Sequence, residues 1–407
     1  MDKRCIMSAT TEPNVGTFTL AGPLTAAATA PAEVPEHREW PLPNGFAWVF
    51  PGEGNEGLRR PVIMADGFNL GRSRLDVLYH GLEGGAFPFV SELRRRGRDV
   101  ILLGFEERSA SILDNARAAE SAIMRAIAER TGYAPLTVGG FSMGGIVTRY
   151  ALARMEMQRI DHQTGLYFSY DSPHCGASVP VGVQAFSHFI PVANDFARQM
   201  DSPAARQMLW RHYDKETGKT GTAPERLQFL DALDRVGSWP RIPRTIGVAN
   251  GRGDGTGLPE VVPGEVVLRI DGIYPGTAFY TQAQGDDVTV AYLNRRFPQA
   301  ERTVTTDGFP ELDGAPGGTL HTYTILADAI TRLGGTVDLR HGEVCFVPSV
   351  SAVALRDIAR QDDLYANIAG LDPEQSGLDD FLCSSTTTAH TAVTEELCAW
   401  LIDRLPD

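Results

Sequence analysis

The sequence predicts an α/β fold, a mostly parallel, doubly wound sheet with a largely helical cap inserted into it. Three observations carry that prediction. Short, almost wholly apolar runs such as VIMA at 62–65, VILLGF at 100–105 and GLYFSY at 165–170 alternate with stretches of helical periodicity. Strands that are apolar on both faces belong to parallel sheets covered by helices on each side. Residues 136–150, LTVGGFSMGGIVTRY, pass from a β-favouring run through one glycine-flanked turn into a helix-like segment. Residues 177–241 then abandon the rhythm and read as helical patches with interspersed aromatics.

Taken in order, residues 1–35 are rich in Ala, Thr and Pro and read as a flexible arm. Lys3 and Arg4 ahead of the mildly apolar stretch 18–30 leave a secretory signal as an alternative to a plain arm. The first part of the core runs over 36–176. It opens with an edge strand or hairpin arm at 40–51 (Phe46, Trp48, Phe50), followed by the strand 60–68, which breaks at Gly67. A helix at 87–96 is stopped by Gly97, a strand follows at 99–105, and a helix at 111–131 (Ile112, Ala116, Ala119, Ile123, Ile127) is closed by Gly132. After the 136–150 unit comes the strand 165–170, running straight into Asp171-Ser172-Pro173-His174-Cys175-Gly176. The cap is placed at 177–241. The second part of the core, 242–407, begins with a strand at 244–250 that runs into Gly251-Arg252-Gly253-Asp254-Gly255. An antiparallel β and loop excursion is expected around 265–340, with a long loop at 303–318. The last core strand is expected at 345–350, and an amphipathic closing helix at 394–405.

The totals bound the function. At 407 residues the chain holds one large domain with insertions or two ordinary ones, and 43% hydrophobic with 22% charged residues is ordinary for a globular protein. A formal net charge of -14 argues against nucleic acid and anionic membrane surfaces as partners. No run approaches the roughly 18 apolar residues of a membrane span, so no integral membrane association is expected. Cys5, Cys175, Cys345, Cys383 and Cys398 are odd in number and lack metal-ligand spacing. They point to reduced thiols, a cytoplasmic setting and no metal site.

The chemistry concentrates on Ser142. A serine held clear at the top of a sheet needs a strained backbone and close strand-to-helix passage, which is what Gly140 and Gly144 on either side of it permit. The free N–H groups at the start of the following helix point at developing negative charge. Gly140-x-Ser142-x-Gly144 in this context, with the Pro173-His174-x-Gly176 loop after the next strand, resembles the α/β-hydrolase superfamily, in particular lipases and esterases. The resemblance covers the sheet, not the cap.

That resemblance implies a Ser-His-Asp triad and an oxyanion hole made by the backbone N–H groups of Phe68 and Met143. Asp66-Gly67 stands where a His-Gly pair is more familiar. The superfamily order of serine, acid, histidine selects His390, just before the closing helix, as the base. His321 is held in reserve, and His174 shapes its own loop. Asp171, at the end of the strand after the nucleophile strand, is the preferred acid. Asp254, after the next strand, is the alternate, and Asp380 comes third. Phe186 and Phe189, with Ile190 and Val192, either line an acyl or aromatic pocket or anchor the cap to the core. The expected function is hydrolysis of a small-molecule or acyl-carrier-bound ester or thioester through an acyl-enzyme, with no cofactor. An acyltransferase or cyclising thioesterase with the same triad, and a non-catalytic binding protein of this fold, are the alternatives.

Overall fold

The computed structural model describes residues 33–407, so the expectations for the arm at 1–35 fall almost wholly outside the described residues. The backbone of the molecule is an eight-stranded sheet. Its first six strands in chain order are β1 (Arg38–Leu42), β2 (Gly45–Phe50), β3 (Pro61–Ala65), β4 (Asp99–Phe105), β5 (Leu136–Phe141) and β6 (Thr164–Tyr170). The strands Arg244–Arg252 and Asp380–Ser384 complete it. The spatial order is β1-β2-β4-β3-β5-β6, then Arg244–Arg252, then Asp380–Ser384. β2 runs antiparallel to both of its neighbours, β1 and β4, and all the other pairings are parallel. This is the α/β-hydrolase arrangement.

The apolar strands divide their side chains between two layers. Val62, Met64, Val100 and Leu102 face one core, together with Phe141, Phe168, Ile246 and Val248. Ile63, Ala65, Ile101, Leu103, Val138 and Tyr167 face the other. The first layer is covered by α1 (Leu75–Glu83), α2 (Phe89–Arg95) and the C-terminal helix Glu395–Ile402, through Leu78, Leu82, Val90, Leu93, Leu397 and Leu401. The second is covered by α3 (Ile112–Glu129) and α4 (Met143–Met157). Burying a side chain of this size is worth roughly 1.5–3 kcal/mol. A one-residue slip of β3 would exchange its two faces, so packing pins the register. Local signals agree with it: Ser111 caps α3 by accepting the Leu113 N–H, and Gly97 after α2 has a φ of 69°, which suits a residue without Cβ.

The stretch expected as a cap carries the helices Val181–Phe189, Asp195–Met200, Pro203–Met208 and Pro224–Arg235, with a short hairpin, His212–Asp214 and Lys219–Gly221. The excursion in the second half is a five-stranded antiparallel sheet in the order Ala300–Thr306, Val288–Arg295, Thr277–Tyr280, Val266–Asp271, Thr336–Leu339. The first of these strands occupies the start of what was expected to be a long loop at 303–318.

One strand is reassigned. Residues 345–350 were expected to form the last core strand, but Val344–Pro348 pairs antiparallel with Gly317–Leu320 in a separate two-stranded ribbon. The last core strand is Asp380–Ser384, parallel to Arg244–Arg252. The ribbon strand is buried along its whole length, whereas the sheet strand lies at an edge and is mostly half-buried. Apolarity in this region therefore tracks burial rather than membership of the main sheet.

Candidate active site

Ser142 sits between β5 and α4 with φ 52° and ψ −123°. For a residue with a Cβ that conformation costs on the order of 1–3 kcal/mol and persists only where its surroundings enforce it. Here the Ser142 N–H donates to the Tyr170 carbonyl at 2.9 Å, tying the turn to β6. A Cβ on Gly140 would come within 2.5 Å of the Gly144 carbonyl carbon, and one on Gly144 would run into the carbonyl oxygens of Ala65 and Asp66. The two glycines are thus required by close approach of β3, β5 and α4, as their pattern predicts.

Asp171 ends β6 and is completely buried. Its Oδ1 accepts the backbone N–H of Asn250 at 3.0 Å, and its Oδ2 lies 2.6 Å from Nδ1 of His390. That separation is the length of a charge-assisted hydrogen bond. It fixes the proton of His390 on Nδ1 and leaves Nε2 as an acceptor. The loop carrying His390 is fastened from several sides. The His390 N–H donates to the Thr319 carbonyl at 2.8 Å, and the Asn250 side-chain amide donates to Thr388 Oγ1 and to the Ala392 carbonyl. The Tyr170 hydroxyl donates to that same carbonyl, and the Phe346 ring meets the imidazole edge-on at 4.8 Å. Ser142 Oγ and His390 Nε2 are both shielded from solvent and form no hydrogen bond, with each other or with any other described group.

Across the site, Phe68 follows the break at the end of β3. Neither its N–H nor that of Met143 donates to another described residue. The surrounding loop is held rigidly. Asp66 Oδ1 accepts the Gly67 N–H at 2.7 Å, Glu107 accepts the Gly71 N–H at 2.7 Å, and Arg108 donates to the carbonyls of Leu70 and Gly71. Burial pushes the Asp66 carboxyl above its usual range, against the opposing pull of Arg108 at 3.7 Å.

The structure separates the remaining candidates. Asp254, the alternate acid, is not at the site: its carboxylate pairs with Arg252 and accepts the Thr256 N–H at 2.9 Å. Those bonds to the ionised form hold it well below the usual carboxylate range. Asp380 is likewise engaged, by Arg244 and Arg404, each at 2.9 Å. His321 is half-exposed and paired with Glu343 at 2.8 Å. His174 is buried, with Nε2 3.0 Å from Ser169 Oγ and its ring 4.9 Å from that of Trp239. Burial, assisted by Arg149, lowers its pKa well below the histidine norm, so it is a neutral, structural imidazole.

Of the two roles expected for Phe186 and Phe189, the contacts observed are those of anchoring. Phe186 meets Tyr274 and Phe279 edge-on at 5.0 and 5.6 Å, and Arg295 lies over the Phe189 ring at 4.8 Å. Both side chains fasten the helix Val181–Phe189 to the five-stranded sheet. Sequence reasoning missed Asn250 and Gly318. A Cβ on Gly318 would overlap Asp171 Oδ2, and only the fold reveals that approach.

No protein-family model matches the sequence, and no curated protein matches it. Similar solved structures include the lipase BlEst2 of Bacillus licheniformis in its mature form, at 11% identity over 51% of this chain and 72% of that one, with a TM-score of 0.31. Est1E from Butyrivibrio proteoclasticus is similar at 12% identity over 52% and 77%, with a TM-score of 0.32. The hyperthermophilic esterase of Pyrobaculum calidifontis is similar at 14% identity over 53% and 65%, with a TM-score of 0.33. At these values the residues of the site rest on their own geometry. No helix among the described residues is long and apolar enough to cross a membrane.

Proposed function

We propose that the chain is a serine hydrolase that cleaves an ester or thioester through an acyl-enzyme. The observation that carries this reading is the buried 2.6 Å contact between His390 Nδ1 and Asp171 Oδ2, on the loop and strand end beside the strained Ser142 turn. A serine hydroxyl is a weak nucleophile until an imidazole takes its proton, and the imidazole needs a carboxylate to hold its tautomer and offset its charge. In the proposed reaction Ser142 Oγ attacks the carbonyl carbon while its proton passes to His390 Nε2. The oxyanion is received by the unengaged N–H groups of Phe68 and Met143. Collapse of the tetrahedral intermediate breaks the bond to the leaving alcohol or thiol, which takes the proton from His390. Water activated by the same nitrogen then releases the acid.

The burial of both reactive atoms favours a second reading, in which an alcohol or amine replaces water and the acyl group is transferred. Product analysis with added nucleophiles separates the two. The first test is labelling with a fluorophosphonate followed by peptide mapping. The label is expected on Ser142, absent in Ser142→Ala and strongly slowed in His390→Ala. Labelling that persists in Ser142→Ala overturns the assignment, and a protein that ignores the probe while binding a partner returns the non-catalytic alternative.

A further inference from the structure

Gln199 lies on the helix Asp195–Met200, within the stretch expected as a cap, yet its side chain reaches the loop that follows β3. The Asn69 side-chain oxygen accepts the Leu70 N–H at 2.8 Å, which fixes the orientation of that amide. The atom of Gln199 that faces it at 3.3 Å must therefore be the donor, Nε2. Its Oε1 is consequently turned away. That oxygen is buried, belongs to a residue with 0% exposure, and accepts no hydrogen bond from the described residues. Buried carbonyl oxygens are nearly always satisfied, so an orphan one calls for an explanation.

Its position supplies one. Asn69 directly follows Phe68, whose N–H faces no acceptor. The same loop begins at Asp66, whose carbonyl lies against Gly144 at the start of α4. Gln199 is thus tethered to the residue that follows Phe68, with its nitrogen engaged and its buried oxygen unpartnered among the described residues. We propose that Gln199 is a specificity-determining residue whose Oε1 accepts a hydrogen bond from a hydroxyl or amide N–H carried by the substrate near its scissile carbonyl. The preferred substrates are accordingly hydroxyacyl or acylamino esters rather than plain alkanoyl esters. A site that offers a buried acceptor penalises an analogue lacking the donor, because the acceptor is then left desolvated and unpaired.

This inference rests on the hydrolase reading, and its test keeps the two apart. Fluorophosphonate labelling of Ser142 in the parent and in Gln199→Met comes first; an unlabelled parent removes both. Kinetics then compare 4-nitrophenyl butyrate with 4-nitrophenyl 3-hydroxybutyrate. The parent is expected to favour the hydroxylated ester by about tenfold in kcat/KM. Gln199→Met, similar in length but without the amide oxygen, is expected to bring the ratio near one while still turning over the plain ester. Asn69→Ala, which loses the tether but keeps Oε1, is expected to slow both esters and retain a preference. A labelled parent with no preference, or a Gln199→Met that slows both esters equally, overturns the inference and leaves Gln199 a packing residue with a bound water at its oxygen. Should Gln199→Met fail to fold, the parent's own ratio decides.

Discussion

Two carboxylates stand at the ends of neighbouring parallel strands and look alike in the sequence. Asp171 follows β6 and Asp254 follows Arg244–Arg252, each within reach of glycine-containing turns. In the structure they are opposites. Asp171 is completely buried, with one oxygen on a backbone N–H and the other on an imidazole. Asp254 is solvated and spends its charge on Arg252 two residues away. Strand position brings an acid to the carboxyl edge of such a sheet, and burial with an imidazole partner is what separates Asp171 from Asp254.

That contrast can be broken most directly at the nucleophile. Ser142→Ala is expected to lower kcat by at least about 10⁴-fold, read as hydrolysis of an activated ester. An activity that survives would detach both carboxylates from catalysis. Next comes Asp171→Asn, which keeps the shape but spoils the tautomer. A loss of about 10³–10⁴ in kcat is expected, and a mild effect beside a severe one at Asp254 would invert the comparison. Gly318→Ala sharpens it from the packing side. Its new Cβ overlaps Asp171 Oδ2, so kcat should fall by about tenfold or more, with about 1–3 kcal/mol lost in urea unfolding. An unchanged variant would show that the carboxylate has room to move.

Asp313 supplies a third case, burial without an imidazole. It accepts the Gln282 N–H at 2.9 Å, and burial pushes its carboxyl up to about 6. A raised folded-state pKa means that the unfolded chain releases its proton first. The protein therefore loses stability as pH rises from about 4 to about 6, and the loss is complete above that. Asp313→Asn should remove this slope and raise stability at pH 7 by on the order of 2 kcal/mol, with little change at pH 4. Equal effects at both pH values would contradict the assignment. The smallest effect belongs to Asp254→Asn, where kcat/KM should stay within about twofold of the parent.

How far the sequence reaches follows from the same physics. The parallel strands, the Ser142 turn and His390 were legible because each is specified locally, by apolar runs, by flanking glycines and by a place ahead of the closing helix. The last core strand was not. Asp380–Ser384 is a half-buried edge strand with a weak apolar signature, and fully buried Val344–Pro348 outshone it. Phe186 and Phe189 carried no sign of which surface they would meet, because the five-stranded sheet that takes them up lies about a hundred residues further along the chain. The choice between Asp171 and Asp254 turned on partners distant in sequence, and the role of Gly318 depends on a side chain that no local pattern brings near it.

The residues joined by the Asp171–His390 contact are 219 positions apart. Contacts of that span form late, since the intervening loop must be closed before they repay its entropy. During synthesis the Ser142 turn emerges long before His390 is made, so on the proposed mechanism a nascent chain carries Ser142 without its base. Under the proposed reaction, reactivity requires residues 380–392 to have been made and the strand Asp380–Ser384 to have settled against Arg244–Arg252, which makes the onset of probe labelling a clock for that step of folding.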